Sequence, residues 1–442
     1  MKIVLLSPKG PLYKHKTGIF KKNLRVQPLT LTTLAAYVPP ELNATVEIYD
    51  EGIGEIDLNI EADLIGITAI TGTAPRSYEL SAHFRSRGIP VVLGGPHVTL
   101  MPEEAIQHAD TIVTGYAEQT WPQLLRDFKS GRMKKRYDMA PDFSLNDIAE
   151  LPFPRRDLLP KNGYLTQNTF EATRGCVHSC DFCVVPAAWG TKPFQKPIDY
   201  VLHDIKQMNA KKFVFYDLNL IADKEYAKAL FRELAKLKVK WYGLATTLMG
   251  YDDELLKLAH ESGCSGLLLG FESVSPAALR GTNKNFNSPA KFKEIVKKLH
   301  DYNIMVMGTF LFGLDQDTKE TFELTAEFAI DSCIDLPRFA IVTPFPSTAL
   351  YKRLKAENRI LTEDWTLYDG QHVVFQPKNL SVDELYQGHE WAWKKVYSYP
   401  SIMKRVLGSG IQIPLQITTN IGYRFYAYNL HRFYTCNAGY IG

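Results

Sequence analysis

Cysteine is scarce in this 442-residue sequence: there are six, and none precedes Cys176. So sparse a set excludes a disulfide framework and leaves the amino-terminal third without thiols for an iron–sulfur centre of its own. Charge of one sign is lacking too. A formal net charge of +3 is too small to mark a nucleic-acid-binding chain. No run approaches the roughly 20 apolar residues of a membrane-spanning helix. The longest candidate, Ile304 to Leu314, contains two glycines and reads as a buried strand. There is no internal repeat, no low-complexity tract and no G-x-G-x-x-G after the first strand, which weakens a dinucleotide-binding reading. Met1 to Pro8 reads as a strand and loop, not a secretory leader. What remains, 45% hydrophobic and 22% charged, is an ordinary globular composition with length for two or three domains. The expected location is a reducing cytoplasm.

Residues 1–129 alternate short apolar strands with amphipathic helices. Strands read at Lys2–Leu6, Thr45–Tyr49, Leu64–Thr68, Val91–Gly94 and Thr111–Thr114. This α/β alternation predicts a doubly wound parallel sheet, which binds ligands beyond the carboxyl ends of its strands. The loops at those ends run from Ser7, Thr68 to Thr73, Gly94 to His97 and Gly115 to Glu118. Their small residues would let backbone approach a large planar or phosphorylated ligand, and Ser7, Thr68, Thr71, Gly94, Gly95, His97, Gly115 and Glu118 are the candidate contacts. From 130 to 167 the period is lost and the chain reads as a linker, with Arg155 and Arg156 either solvated or meeting a cofactor. Residues 168–375 alternate again, with strands at Lys212–Asp217, Lys240–Thr246, Gly266–Glu272, Ile304–Phe312 and Arg338–Thr343. They predict a partial (β/α)6 barrel with its chemistry at the strand carboxyl ends.

The sharpest signal lies at the head of that barrel. Cys176, Cys180 and Cys183 stand in a C-x3-C-x2-C run with Phe182 before the last cysteine. Three thiolates on one loop suit three irons of a cubane [4Fe–4S] cluster and leave the fourth iron open for a substrate, where ferredoxin clusters spend a fourth thiolate. A structural zinc site is the alternative, with His178 as a further ligand. Zinc sites want paired ligands from two segments, and no second C-x2-C exists.

The motif resembles that of the radical S-adenosylmethionine (SAM) enzymes, and residues 1–129 resemble the cobalamin-binding domain that precedes it in one large subgroup. The cobalamin resemblance rests on Gln27-Pro28-Leu29, Gly94 through Thr99 and Gly115 through Glu118. It implies a [4Fe–4S] cluster, SAM and cobalamin as cofactors, with the open iron chelating SAM and Phe182 packing beside cluster and adenine. By the same resemblance Asp217-Leu218-Asn219 meets the SAM amino group, Glu272 in Gly270-Phe271-Glu272-Ser273 accepts from the ribose hydroxyls, and Lys284 faces the SAM carboxylate. One departure stands out: where a D-x-H-x-x-G cobalt-ligating motif would carry histidine, Asp50-Glu51-Gly52 carries glycine. His97 is then a candidate cobalt ligand, or a loop histidine satisfied by hydrogen bonds. Methylthio transfer is disfavoured, since that family places cluster cysteines in its amino-terminal domain.

The resemblance implies methylation of an unactivated carbon in an apolar or polycyclic small molecule, helped by an electron donor such as flavodoxin or ferredoxin. Oxidative cyclisation of a tetrapyrrole-like substrate and a non-catalytic sensor are the alternatives. Residues 376–442 read as helical and aromatic-dense. They are expected to cover the open side of the barrel, to pack as core, or to make peripheral membrane contact. Cys264, Cys333 and Cys436 are scattered singly, the first two expected to be buried and Cys436 near enough to the tail to reach the active site.

Overall fold

The architecture comes from a computed structural model, which describes residues 1–10, 26–144, 148, 150–160 and 163–430. Two six-stranded sheets organise it. In the first, strands β1 (Lys2–Ser7), β2 (Thr45–Asp50), β3 (Leu64–Thr68), β4 (Val91–Gly94), β5 (Thr111–Thr114) and β6 (Arg136–Asp138) stand in the order β2-β1-β3-β4-β5-β6. All neighbours are parallel. Helices cover both faces, so β1 is apolar on both: Val4 and Leu6 join one core and Ile3 and Leu5 the other. The chain reverses direction across the sheet between β1 and β3, and such a reversal opens a crevice at the carboxyl ends. Strand β6 corrects the expected linker: the segment after 130 first completes this sheet.

The second sheet runs in chain order through β7 (Thr169–Phe170), β10 (Lys212–Phe215), β11 (Lys240–Ala245), β12 (Cys264–Glu272), β13 (Met305–Phe312) and β14 (Leu336–Ile341). This is the expected partial barrel. Between β7 and β10 a small antiparallel ribbon pairs β8 (Thr173–Arg174) with β9 (Phe194–Gln195), and closes the base of the loop that carries the three cysteines.

The linker arginines are structural. Arg155 is exposed and paired with Asp157 at 2.7 Å. Arg156 is buried, with its guanidinium on both Asp204 oxygens at 2.7 and 2.9 Å and on the Thr169 carbonyl at 2.7 Å. Neither reaches the crevice.

The carboxy-terminal helices do not cover the open side of the barrel. The helix Val382–Val396, started by a Ser381–Glu384 capping box, packs on the outermost strand β14. An open sheet edge leaves backbone groups without partners. Here Trp393 Nε1 donates to the Phe339 carbonyl at 3.0 Å and Tyr397 O–H to the Pro337 carbonyl at 2.8 Å. The two following helices, Tyr399–Ser409 and Ile413–Ala427, sit at the amino ends of the strands. Gln412 donates there to the carbonyls of Ser265 and Asn303, both at 2.9 Å. The aromatics thus serve mainly as core. Cys436 and the aromatics beyond Leu430 lie outside the described residues.

His389 is buried beside Trp393 and the Phe339 carbonyl, and burial lowers its pKa from 6.5 to about 4. Its folded value lies below its unfolded one, so its contribution is complete above pH 6.5 and is lost as pH falls toward 4. Urea unfolding across that window should therefore show a loss of about 3 kcal/mol attributable to this group, and His389→Gln should flatten the slope.

Candidate active site at the junction of the two sheets

The carboxyl ends of the first sheet and the head of the barrel enclose one cavity of about 220 Å3. Ordinary small-molecule sites run to roughly 300–1,000 Å3, so the cavity is smaller than the full span of a large planar ligand. Ser7, Thr68, Gly94, Gly95, Gly115 and Glu118 all line it, so six of the eight candidate contacts in the first sheet converge. Gly95 has φ +99°, and a Cβ there would lie 2.7 Å from Thr68 Oγ1 and 2.8 Å from the Ala69 carbonyl. Glycine is needed both for the left-handed backbone and for the close approach of two strand ends.

His97 and Thr71 do not line the cavity. His97 is fully buried, its ring nitrogens 3.4 Å from Thr71 Oγ1 and 3.3 Å from Glu104 Oε1. Glu104 in turn accepts from Trp365 Nε1 at 3.1 Å, and the Trp365 ring meets the His97 ring edge-on. The pair serves the packing of residue 365 against the first sheet, and His97 is withdrawn as a cobalt ligand.

Several wall residues were not foreseen. Arg174 and Gly175, just before Cys176, line the cavity from the barrel side, with Tyr37, Tyr116 and Trp189. The Tyr116 and Trp189 rings stack at 5.6 Å, 5° from parallel. Arg174 lies over the Tyr116 ring and pairs with Glu118 of the first sheet and Glu171 of the barrel. Lys196 joins Glu171 at 2.9 Å. Burial opposes the charges of Glu171 and Arg174, yet Arg174 and Lys196 hold Glu171 below the ordinary carboxylate range. The arginine preceding the C-x3-C-x2-C run was the available signal.

The cysteine loop is fixed from several directions. Asp217, at the end of β10, accepts from the Ala172 and Thr173 backbone N–H groups, and burial raises its pKa to about 7. Its side chain is thus a brace for the approach to the cysteine loop, while the resemblance asks only the backbone of Asp217-Leu218-Asn219 to meet the SAM amino group. The Asp181 N–H donates to the Thr282 carbonyl at 3.1 Å, the Leu350 N–H to the Asp181 carbonyl at 2.9 Å, and Asn283 Nδ2 to the Ser179 carbonyl at 2.9 Å. Phe182 turns toward the apolar cluster of Leu314, Val342, Leu350 and Phe375. His178 stacks on Phe286 at 3.9 Å.

Among the described residues, no three His, Cys, Asp or Glu side chains are grouped to hold a single metal ion. A cubane makes a different demand, since each thiolate binds its own iron and the sulfurs stand apart. The three cysteines carry no disulfide and feel one another's charge. Burial pushes the Cys180 thiol up to about 11 and Cys183 up to about 12, so thiolates here call for a cationic partner. Burial alone would lower Lys284, but Glu272 and the Cys180 and Cys183 thiols hold it above its ordinary value. Glu272 and Lys284 therefore lie beside the cysteines and pair with each other. Glu272 sits at φ +63°, where the β12–β13 register shifts. A Cβ on Gly270 would lie 2.2 Å from its Oε1, so that glycine makes room for the pair. Asn219, 3.6 Å from Cys176 Sγ, keeps its buried Oδ1 without a partner. The donor set fits a three-thiolate cluster, and the glycine-lined crevice fits a large planar ligand.

Fold and site together define a radical SAM barrel preceded by a cobalamin-type sheet. Residues 170–329 match the Radical SAM superfamily, 28–125 the B12 binding domain, and 348–416 a domain of unknown function, DUF4070. The chain is 31% identical over 362 residues to the bacteriochlorophyllide d C-12(1)-methyltransferase of Chlorobaculum tepidum, covering 78% of this chain and 77% of that protein. It is 29% identical over 417 residues to the C-8(2)-methyltransferase of the same organism, covering 90% and 91%. The radical SAM methyltransferase TsrM from Kitasatospora setae, solved with cobalamin and a [4Fe–4S] cluster, shares the fold with a TM-score of 0.64 at 17% identity, over 80% of this chain and 75% of that one. The chain belongs to the cobalamin-dependent radical SAM methyltransferase family, and its cofactors are a [4Fe–4S] cluster, SAM and cobalamin.

Two substitutions probe the junction. Arg174→Ala leaves the buried Glu118 charge uncompensated and Glu171 with Lys196 as its remaining partner. It should cost about 3–5 kcal/mol in chemical denaturation, with Arg174→Lys recovering part of the loss. Gly95→Ala should lower cobalamin stoichiometry after anaerobic reconstitution, read from the visible spectrum, while iron content stays at the wild-type value.

Proposed function

We propose that this enzyme methylates an unactivated carbon of an apolar, planar small molecule of tetrapyrrole type, bound where the crevice meets the cysteine loop. The observation that carries the reading is the shared volume: Gly115 and Glu118 from the first sheet and Arg174 and Gly175 from the foot of the cysteine loop line one cavity. On its barrel side the Trp189 ring stacks on Tyr116 at that cavity's wall, a flat apolar surface that suits a flat hydrophobic substrate. The names of both Chlorobaculum relatives, each a bacteriochlorophyllide methyltransferase, support the same class.

A carbon–hydrogen bond without acidity gives a general base nothing to act on, so the hydrogen must leave as an atom. When bound, the cluster with SAM supplies the abstracting radical and cobalamin supplies the methyl group. In this reading Cys176, Cys180 and Cys183 ligate three irons. Lys284 balances the thiolate charge, and its pairing holds Glu272 in place for a hydroxyl donor. Asn219 contributes an unused acceptor beside Cys176. Arg174 and Glu118 keep the two halves of the cavity in register and exclude water from it. An electron donor of the flavodoxin or ferredoxin class is the further partner, and the reducing cytoplasm is the compartment.

The test is anaerobic turnover of the reconstituted, reduced enzyme with SAM carrying a deuterated methyl group and a bacteriochlorophyllide as substrate. Mass spectrometry should find the label in the product together with 5′-deoxyadenosine, and Cys180→Ala should yield neither. A product with a new ring and no label would establish cyclisation in place of methylation.

A further inference from the structure

The helix Ile413–Ala427 is amphipathic with its sides reversed. The side chains it buries are Gln416, Asn420 and Ala427, while Ile413, Ile417 and Ile421, one turn apart, are exposed. The buried polar groups are committed. Asn420 accepts from the buried Arg405 at 2.8 Å and donates to the Asp335 carbonyl at 3.1 Å. Gln416 donates to Ser409 Oγ at 2.7 Å. Those bonds run Ser409 to Gln416 and Arg405 to Asn420, so the preceding helix Tyr399–Ser409 lies antiparallel beside it. That helix exposes Tyr399, Met403 and Leu407, again one turn apart, with Tyr399 65% and Leu407 67% exposed. Arg424 joins the two stripes at one end, its guanidinium 4.0 Å from the Tyr399 ring and 4.2 Å from the Tyr428 ring. The helix Tyr399–Ser409 buries Ile402 and Val406 as well as Ser401 and Arg405, so its exposed stripe is surplus to its core contacts, and the two aliphatic stripes together make a surface suited to an apolar medium.

The charge pattern says which medium. From Trp391 to Gly442 the sequence contains lysine and arginine but no aspartate or glutamate. Lys404 is the one cation within the described hairpin that meets a carboxylate, Asp331 from outside it, at 2.6 Å. With Lys404 paired and Arg405 buried, Arg424 is the cation left at the described face, and a second copy of a hairpin without carboxylates has none to answer it. An anionic headgroup layer would answer it, and tyrosines at the rim of an aliphatic stripe suit the boundary between headgroups and acyl chains.

We infer that the hairpin Tyr399–Tyr428 is a peripheral docking surface for a lipid bilayer bearing anionic headgroups. The two helices lie in the interfacial plane with Met403, Leu407, Ile417 and Ile421 inserted and Arg424 at the headgroup level. Because the hairpin sits at the amino ends of the barrel strands, docking there leaves the crevice and the cysteine loop, at the carboxyl ends, turned away from the membrane. The inference goes beyond the proposed reaction and stands whichever carbon is methylated.

Flotation of the full chain with vesicles of phosphatidylcholine, alone or mixed with phosphatidylglycerol, tests it. Binding is expected to the mixed vesicles and to weaken with added salt. The triple variant Leu407→Ser, Ile417→Ser, Ile421→Ser should lose about tenfold or more in partitioning, with 5′-deoxyadenosine formation at the wild-type rate as evidence of an intact fold. Wild-type protein that stays with the buffer, or a variant that floats equally well, overturns the inference. So does sedimentation showing a wild-type dimer that the triple variant converts to monomer, since a second copy would then be what covers the face.

Discussion

The arrangement depends most on the buried charge group of Glu118, Arg174, Glu171 and Lys196. Glu118 follows β5 of the first sheet, and Arg174 is two residues from Cys176, the first of the three cysteines. One guanidinium therefore joins a loop that walls the crevice to the loop that carries the thiols. Charges taken out of water gain nothing unless each is matched, so this group tolerates little displacement of one sheet relative to the other. A chemistry in which one substrate carbon is reached from two cofactor sites needs the separation of those sites held constant. A flexible tether would not provide that, and a matched buried ion group does.

The cysteine loop extends the same logic. It has almost no regular structure of its own, so its shape is imposed by its neighbours: Asp217 at its approach, Thr282 and Asn283 along its flank, and the apolar pocket around Phe182. Asp217, Leu314 and Val342 among these lie just past the ends of barrel strands, the positions from which a (β/α) scaffold offers side chains without sacrificing its own hydrogen bonding. The Glu272–Lys284 pair belongs to this frame as much as to substrate binding. It sets a positive charge among thiols whose ionisation burial resists, and so lowers the cost of the thiolate form before any iron is considered.

Much of this was legible in the sequence, for physical reasons that also mark where reading fails. Strands such as Leu64–Thr68 and Val91–Gly94 announce themselves because a parallel strand buried on both faces must be continuously apolar. The crevice loops were legible because close backbone approach demands glycine, as at Gly95 and Gly115. What sequence could not reveal was pairing. His97, Asp217 and Glu118 all have the chemistry of ligand contacts. Only the fold shows that the first two are occupied by Glu104 and by backbone N–H groups, and that the third answers Arg174. Arg156 failed in the same way, a linker charge by composition and a buried clamp in space.

The carboxy-terminal segment shows the complementary failure, since composition gives amount without place. Aromatic density suggested a lid over the substrate. Yet Trp393 and Tyr397 are spent on satisfying the edge of β14, which a partial barrel, unlike a closed one, cannot avoid exposing. Covering that edge carries the chain toward the amino ends of the strands. From there the next two helices reach back across the bottom of the barrel, held by Gln412, Arg405 and Asn420. Those anchors must point inward to find backbone carbonyls, and the spacing of one helical turn then leaves Ile413, Ile417 and Ile421 outward. The reversed polarity of the last described helix is thus a consequence of how an open barrel closes its free edge.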